Sequence, residues 1–376
     1  MDNIYKIQQC KQENLRYFIL ALVFIVLLGN VMVFSSSYIF ARERYGSPFY
    51  FLNKQLIYTV LGFVLMTIVS KTKYQFWIKF SRHIIIFSTF LLGLTFLPGI
   101  GIEVKGANRW LNLLFFTFQP GELAKYSIMF YSIYYFEVLN KAPLKERLSG
   151  LPYLIMPLIL LVFQPDFGSF FICASTIFFI SFLSSFNRKY FYSFLVGGVS
   201  AVVGVLIMAP YRVARLISFL DPWKNPRSSG FQIIQSFLAF SNGGITGKGL
   251  GNSNEKLFYL PEAHNDFIFS VIGEELGLVG VVSFILILMV MIYNGLKLSL
   301  VKNNNLIQYL IISSVVFLIS YQSFLNMGVV MGVLPTKGLN LPFVSFGGSS
   351  MICNFFGIGV LLSAINEKKQ SIEISL

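Results

Sequence analysis

The amino-acid sequence predicts an all-α integral membrane protein: a single polytopic domain over 1–376, with about ten transmembrane helices and a large extracytoplasmic loop between the seventh and eighth. Three observations predict it. Of 376 residues 55% are apolar and 12% charged, a balance unsuited to a water-soluble core. Apolar runs long enough to cross about 30 Å of hydrocarbon recur from end to end. Lys and Arg crowd into alternate connections between those runs, as in cytoplasmic loops, whose positive charge is held back during insertion.

In order, the runs fall at 16–40, 49–70, 81–98, 119–138, 144–164, 168–185, 190–209, 266–296, 306–328 and 342–365. An even number puts both termini on one side. The first run is long, lacks a small-residue cleavage site and is followed by charge, so it reads as retained rather than as a signal peptide. The N-terminal segment, 71–82, 139–149, Arg188, Lys189, Lys297, Lys302, Lys368 and Lys369 supply sixteen basic residues on one face. The short loops of the other face hold six: Arg42, Arg44, Lys54, Lys105, Arg109 and Lys337. The tails 1–15 and 366–376 are therefore expected in the cytoplasm and 210–265 outside. This asymmetry accounts for most of the net charge of +13, so no nucleic-acid partner is implied. Cys10 falls in the tail while Cys173 and Cys353 fall within runs, which suggests no disulfide framework.

Connections are short except at 99–118 and 210–265, both external, and long ordered loops are where function concentrates. The second opens with Arg212 and Arg215 among apolar residues at helical spacing, an amphipathic stretch suited to the interface. "GFQIIQSFLAF" is too short to span and should re-enter or lie flat. "SNGGITGKGLGNS" is a backbone turn region without the spacing or preceding strand of a phosphate-binding loop.

"FQPGEL" at 118–123 and "FQPDFG" at 163–168 each place Pro near the first helical position and an acid, Glu122 or Asp166, in the first turn. "LPEAHNDFIF" at 260–269 sets Glu262, His264 and Asp266 before the eighth run, so three acid-bearing helix starts share one depth. Capping explains one polar group there, and Asn265 suffices for that. Asp266 is then a catalytic candidate, because ionisable groups are costly to keep at a membrane edge. Glu262 and His264 are candidates to contact substrate or to order the loop. Gly273, Gly277 and Gly280 offer a smooth face for helix packing, while Glu274 and Glu275 need partners the sequence does not reveal. Glu122 and Lys125 stand at i, i+3 and can pair, which either neutralises both or leaves Lys125 to meet an anion. In the first external loop Trp110 suits an interface anchor, and the Arg109 guanidinium suits phosphate. "MGVLPTKGLNLPFVSFGGSSM" at 331–351 breaks helicity at Pro335, Gly338 and Pro342; such backbone belongs in protein or beside a polar cavity, with Lys337 at its rim.

Over nearly its whole length the chain resembles the SEDS family of bacterial shape, elongation, division and sporulation proteins (FtsW, RodA, SpoVE). The resemblance rests on "GANRWL", "FQPGELAK", "QPDFGS", "DPWKNPRSSGFQIIQS", "LPEAHNDFIFSVIGEELG" and "LPTKGLNLPFVSFGGSS". "LPEAH" and "LPTKGL" look more like the division members than the elongation members. The resemblance implies a ten-span inverting glycosyltransferase of the bacterial cytoplasmic membrane at the division septum. It would polymerise lipid II, an undecaprenyl-diphosphate-linked disaccharide-pentapeptide, on the outer face among membrane lipids. A class B penicillin-binding transpeptidase and the divisome proteins are the implied partners. The family's essential aspartate falls on Asp266, and its other functional positions on Lys54, Trp110, Glu122, Lys125 and Asp166. Gly121, Ser169 and Phe346 stand where Ser, Thr and Tyr are common, and none of these departures removes an ionisable group.

The residues suit that chemistry on their own terms. A carboxylate at Asp266 can take the proton of an attacking sugar hydroxyl, and the helix dipole should keep it ionised, as base or as metal ligand. Arg109, Lys125, Lys54 or a divalent cation (Mg or Mn) can stabilise the departing diphosphate. An α-linked donor going to a β-linked glycan needs one inversion. The competing expectations are a lipid II flippase, an elongation-type polymerase and a scaffold that only recruits a transpeptidase. The concentration of ionisable groups at the outer edge rather than at mid-bilayer argues against the flippase.

Overall fold

Helices occupy all ten of the predicted runs, and their sequences explain which lie inside the bundle. The structure, a computed structural model, describes residues 2–104, 107–112, 116–207, 221–224, 226, 230–253, 263–301, 304–335 and 338–366. In chain order the elements are α1 (Asp2–Tyr45), α2 (Tyr50–Ser70), α3 (Tyr74–Lys79), α4 (Ser81–Leu94), β1 (Gly101–Val104), β2 (Ala107–Asn112), β3 (Thr117–Phe118), α5 (Pro120–Glu137) and α6 (Leu144–Phe163). They continue with α7 (Phe167–Leu183), α8 (Arg188–Ile207), α9 (Phe231–Gly243), α10 (Ile268–Ser299), α11 (Leu306–Val330) and α12 (Gly348–Asn366). Among the described residues six helices, Gln8–Tyr45 within α1 together with α2, α6, α10, α11 and α12, are long and apolar enough to cross a membrane.

Two departures from the sequence reading concern class and length. The loop at 99–118 is not irregular but folds as a three-stranded antiparallel sheet in the order β1-β2-β3, so the molecule is not purely helical. Its register sets Ile102 opposite Trp110 and Leu111 opposite Phe118, aromatic and branched side chains that favour strand pairing. The segment expected as a tail is largely helical, because α1 meets no Gly or Pro before Gly29 and runs for 44 residues.

α5 is the hub. It packs against α4, α6, α7, α11 and α12, and all but two of its residues are buried, Leu123 and Tyr134 being the exceptions. α2 instead turns Leu56, Ile57, Val60, Leu61, Phe63 and Ile68 outward, a continuous apolar face that suits lipid rather than water. α12 lies along α2 at close range: Gly62 receives the Phe355 ring and Gly348 the Tyr58 ring.

The short piece predicted to re-enter is α9, which packs on α10. Ser236 Oγ donates to Val330 O, and Phe240 lies over Gly273. At its foot the glycine-rich turn enters a break in α10, where Gly277 adopts φ +67°. The turn replaces the helical partners that the break removes. Lys248 N and Gly249 N donate to Glu274 O and Glu275 O at 3.0 Å each, and Leu278 N and Val279 N donate to Gly244 O and Ile245 O at 3.0 and 3.1 Å. Gly273 therefore serves close helix packing, against α9, as expected of it, whereas Gly277 serves this turn.

The starts of α2, α5, α7, α10 and α12 meet at one end of the bundle. Phe51 stacks near His264 at 4.5 Å, Gln55 Nε2 donates to Ser345 O at 3.3 Å, and Gln119 N donates to Ser349 Oγ at 3.0 Å. Gly121 lies against Ser169 and Asp166.

Candidate active site

Asp266 sits in a turn before α10, not in its first helical turn. The helix opens with Phe267 at the N-cap and no side-chain cap, so Asn265 does not play the capping role expected of it. Three donors hold the turn through successive carbonyls: Phe346 N to His264 O at 3.0 Å, Ser345 Oγ to Asn265 O at 2.6 Å, and Asn326 Nδ2 to Asp266 O at 2.8 Å. The carboxylate lies against Gly338, where an added Cβ would stand 2.9 Å from Oδ2.

α11 ties this turn to the α5 charges. Gln322, one turn before Asn326, accepts from Lys125 Nζ at 2.6 Å and donates to Asn340 O at 2.9 Å. Lys125 Nζ also donates to Glu122 Oε2 at 2.7 Å, and both side chains are buried. The i, i+3 pair is thus self-neutralising, and Lys125 is spent on protein acceptors. Asp166 is the N-cap of α7, accepting from Ser169 N at 3.2 Å and Ser169 Oγ at 2.9 Å. Pro165 accordingly lies outside the helix, unlike Pro120, which opens α5 as expected. Gly168 abuts Leu339, the neighbour of Gly338. Contacts therefore run in a ring from Asp266 through α11 to Glu122, across Gly121 to Asp166, and back through Leu339.

Around this ring stand the remaining candidates. Arg109 Nη2 donates to Pro165 O at 2.5 Å, and among the described residues its buried Nε has no hydrogen-bond partner. Trp110 is half-buried in β2. Lys54 Nζ donates to Tyr50 OH at 2.7 Å, and Tyr50 stacks on Tyr45. His264 sits among Phe40, Phe51 and Phe346 with ring centroids 5.9, 4.5 and 6.0 Å away. Glu262 and Lys337 lie outside the described residues.

The partners of the deeper acids were not visible in the sequence. Glu274 is held by Lys248 Nζ at 2.8 Å and by Ser253 Oγ, and Glu275 accepts from Ser35 Oγ at 2.5 Å. The only available signal was a lysine inside a glycine-rich stretch. Likewise Glu137, at the far end of α5, accepts from Ser185 N at 2.7 Å and Ser185 Oγ at 3.0 Å. Each of these interior acids is fully buried, as are Glu122 and Asp166, whereas Asp266 is only partly buried.

A many-helix membrane bundle with an acid-bearing turn where helix starts converge defines the class. Comparison with known proteins narrows it: the chain belongs to the FtsW/RodA/SpoVE family, described as cell cycle proteins, whose family profile matches residues 15–370. It is 38% identical over 364 residues to a protein of Geobacter metallireducens named "Probable peptidoglycan glycosyltransferase FtsW", covering 95% of this chain and 97% of that one. A Legionella pneumophila protein of the same name is 38% identical over 352 residues, covering 92% and 89%. Among solved structures it is similar to a chain from work on "Structural coordination of polymerization and crosslinking by a peptidoglycan synthase complex". That likeness has a TM-score of 0.74 and 25% identity and covers 94% of this chain and 98% of the other. Thermus thermophilus RodA shares the fold at TM-score 0.67 and 23% identity, covering 94% and 97%.

Proposed function

We propose that this chain is a peptidoglycan glycosyltransferase of the division type, polymerising lipid II at the outer face of the bacterial cytoplasmic membrane with Asp266 as general base. It would cross the membrane ten times with both termini in the cytoplasm. It would work at the septum with a class B penicillin-binding transpeptidase and divisome proteins. The observation that carries the reading is the place of Asp266: the other interior acids named above are fully buried, while Asp266 is only partly buried, in a turn whose carbonyls are pinned where helix starts converge. The names of the relatives support the reaction class.

In the reaction, Asp266 takes the proton of the sugar hydroxyl as its oxygen bonds to the anomeric carbon of the donor. The bond from that carbon to the undecaprenyl diphosphate breaks in the same displacement, inverting the centre once. Lys125 is committed to Glu122 and Gln322, so it acts on the anion only at a distance. The converging helix starts are the better source of stabilisation, since each N-terminus carries about half a positive charge, and Arg109 and Lys54 stand nearby. Among the described residues no group of three or more His, Cys, Asp or Glu side chains could hold a metal ion. Among the described residues, Asp266 is the carboxylate at the site that would hold a divalent cation, which would help neutralise the substrate diphosphate.

The test is glycan extension from lipid II by the purified full-length chain with its transpeptidase. Asp266→Asn should lower the rate by about 10²-fold or more while folding and partner binding persist; near-normal extension by the variant overturns the assignment. Chelation followed by Mg or Mn addition, in the same assay, reads the cation requirement. A flippase is the second reading, favoured by the break in α10 at Gly277 beside the Lys248–Glu274 pair, since broken helices with buried charges are a transporter device. Lipid II translocation without polymerisation would support it.

A further inference from the structure

Asp266 lies in a turn rather than in a helix, so its own backbone ladder does not fix where the carboxylate points. Its position is set from outside. The carbonyls of His264, Asn265 and Asp266 are each held by a donor from the 345–346 segment or from α11. Of these donors Asn326 does two things at once. One N–H of its amide holds Asp266 O at 2.8 Å, and the other holds Leu339 O at 2.5 Å. Leu339 follows Gly338, where an added Cβ would meet the Asp266 carboxylate. A single buried amide thus fixes both walls of the slot in which the carboxylate sits, and Gly338 sets its width. Gln322 repeats the device one turn away, bonding Asn340 O with its N–H while its carbonyl oxygen takes Lys125. Proton abstraction demands placement of the base within about half an ångström, and an asparagine in an apolar helix is there only if both of its N–H groups are used.

We propose that Asn326 and Gly338 are positioning residues for the glycosyl transfer: Asn326 clamps the Asp266 turn to the 338–341 segment, and Gly338 keeps a side chain out of the space the carboxylate occupies. The proposal rests on the glycosyltransferase reading. Neither residue touches substrate; both act through Asp266.

Two variants test it in the full-length chain with its transpeptidase, using lipid II as substrate. Asn326→Leu keeps the branched heavy-atom skeleton and removes both N–H groups, while Gly338→Ala adds one methyl group beside the carboxylate. Expected for each is a fall in kcat of about 10- to 100-fold, with the KM for lipid II and partner binding unchanged. Amide exchange in residues 263–268 should speed up in Asn326→Leu only. Wild-type kcat in Gly338→Ala overturns the carboxylate-slot role, and unchanged exchange with wild-type kcat in Asn326→Leu overturns the clamp. A loss of efficiency that appears only as a raised KM, or that tracks loss of thermal stability, marks a structural residue and also overturns the proposal. If the wild-type chain does not extend glycan, the functional reading fails and the catalytic role fails with it, whereas exchange still reports whether the clamp exists.

Discussion

Glu122 and Lys125 illustrate what can and cannot be read from residues. Their i, i+3 spacing made the pair legible, and the structure closes it at 2.7 Å with both groups buried. Gln322, which completes the set, is 197 residues away in sequence and sits in an apolar run where nothing marks its partner. The same is true of Asn326. The energetics follow from burial: removing one member strands the other, at a cost of about 3–5 kcal/mol, while replacing both is far milder. Lys125→Met should therefore lower thermal stability in detergent markedly, and adding Glu122→Gln should restore most of it. Were Lys125→Met as stable as the wild type but inactive, the lysine would be contacting substrate rather than neutralising Glu122.

At the scale of elements, α9, the glycine-rich turn and the upper half of α10 form one unit. The sequence disclosed its parts, a run too short to span and a segment of turn residues. It did not disclose their assembly, because Gly277 between apolar residues looks like any packing glycine and the break exists only when the backbone at 244–249 supplies the missing partners. The sheet at 101–118 escaped for a related reason: each strand is short, and pairing across a loop leaves no periodic signal. Gly277 is the point at which the unit can be tested. At φ +67°, ψ −166°, a conformation essentially restricted to glycine, an alanine costs about 1–3 kcal/mol for the backbone alone, and its Cβ would also collide with the backbone of Gly247 and Ile245. Gly93 in α4 is the control, since nothing stands within 4 Å of its added Cβ and Gly→Ala in a helix gains up to about 1 kcal/mol. Thermal unfolding of the two variants should move in opposite directions. Equal tolerance would mean that the loop does not occupy the break in the membrane-embedded protein.

For the whole molecule, the apolar runs were legible because membrane spans are written in composition, whereas the way the helix starts converge was not, since it depends on contacts between distant segments. The starts of α2, α5, α7, α10 and α12 share one end, as alternation along the chain requires if every run crosses once. The uneven distribution of Lys and Arg supports the proposal that this end faces outside, where a polymerising site has to open if its product is an external glycan. The cysteines allow a direct check. Cys10 is exposed, whereas Cys173 and Cys353 are buried, so the native chain offers one reactive thiol among the described residues. A membrane-impermeant maleimide should leave Cys10 unlabelled in intact spheroplasts and label it once they are permeabilised. In a Cys10→Ser background, Glu103→Cys on exposed β1 should label without permeabilisation. The reverse pattern would invert the molecule and put Asp266 on the cytoplasmic side, leaving no route from its carboxylate to an external acceptor. Labelling of both sites in intact cells would instead break the alternation and remove at least one of the ten proposed crossings.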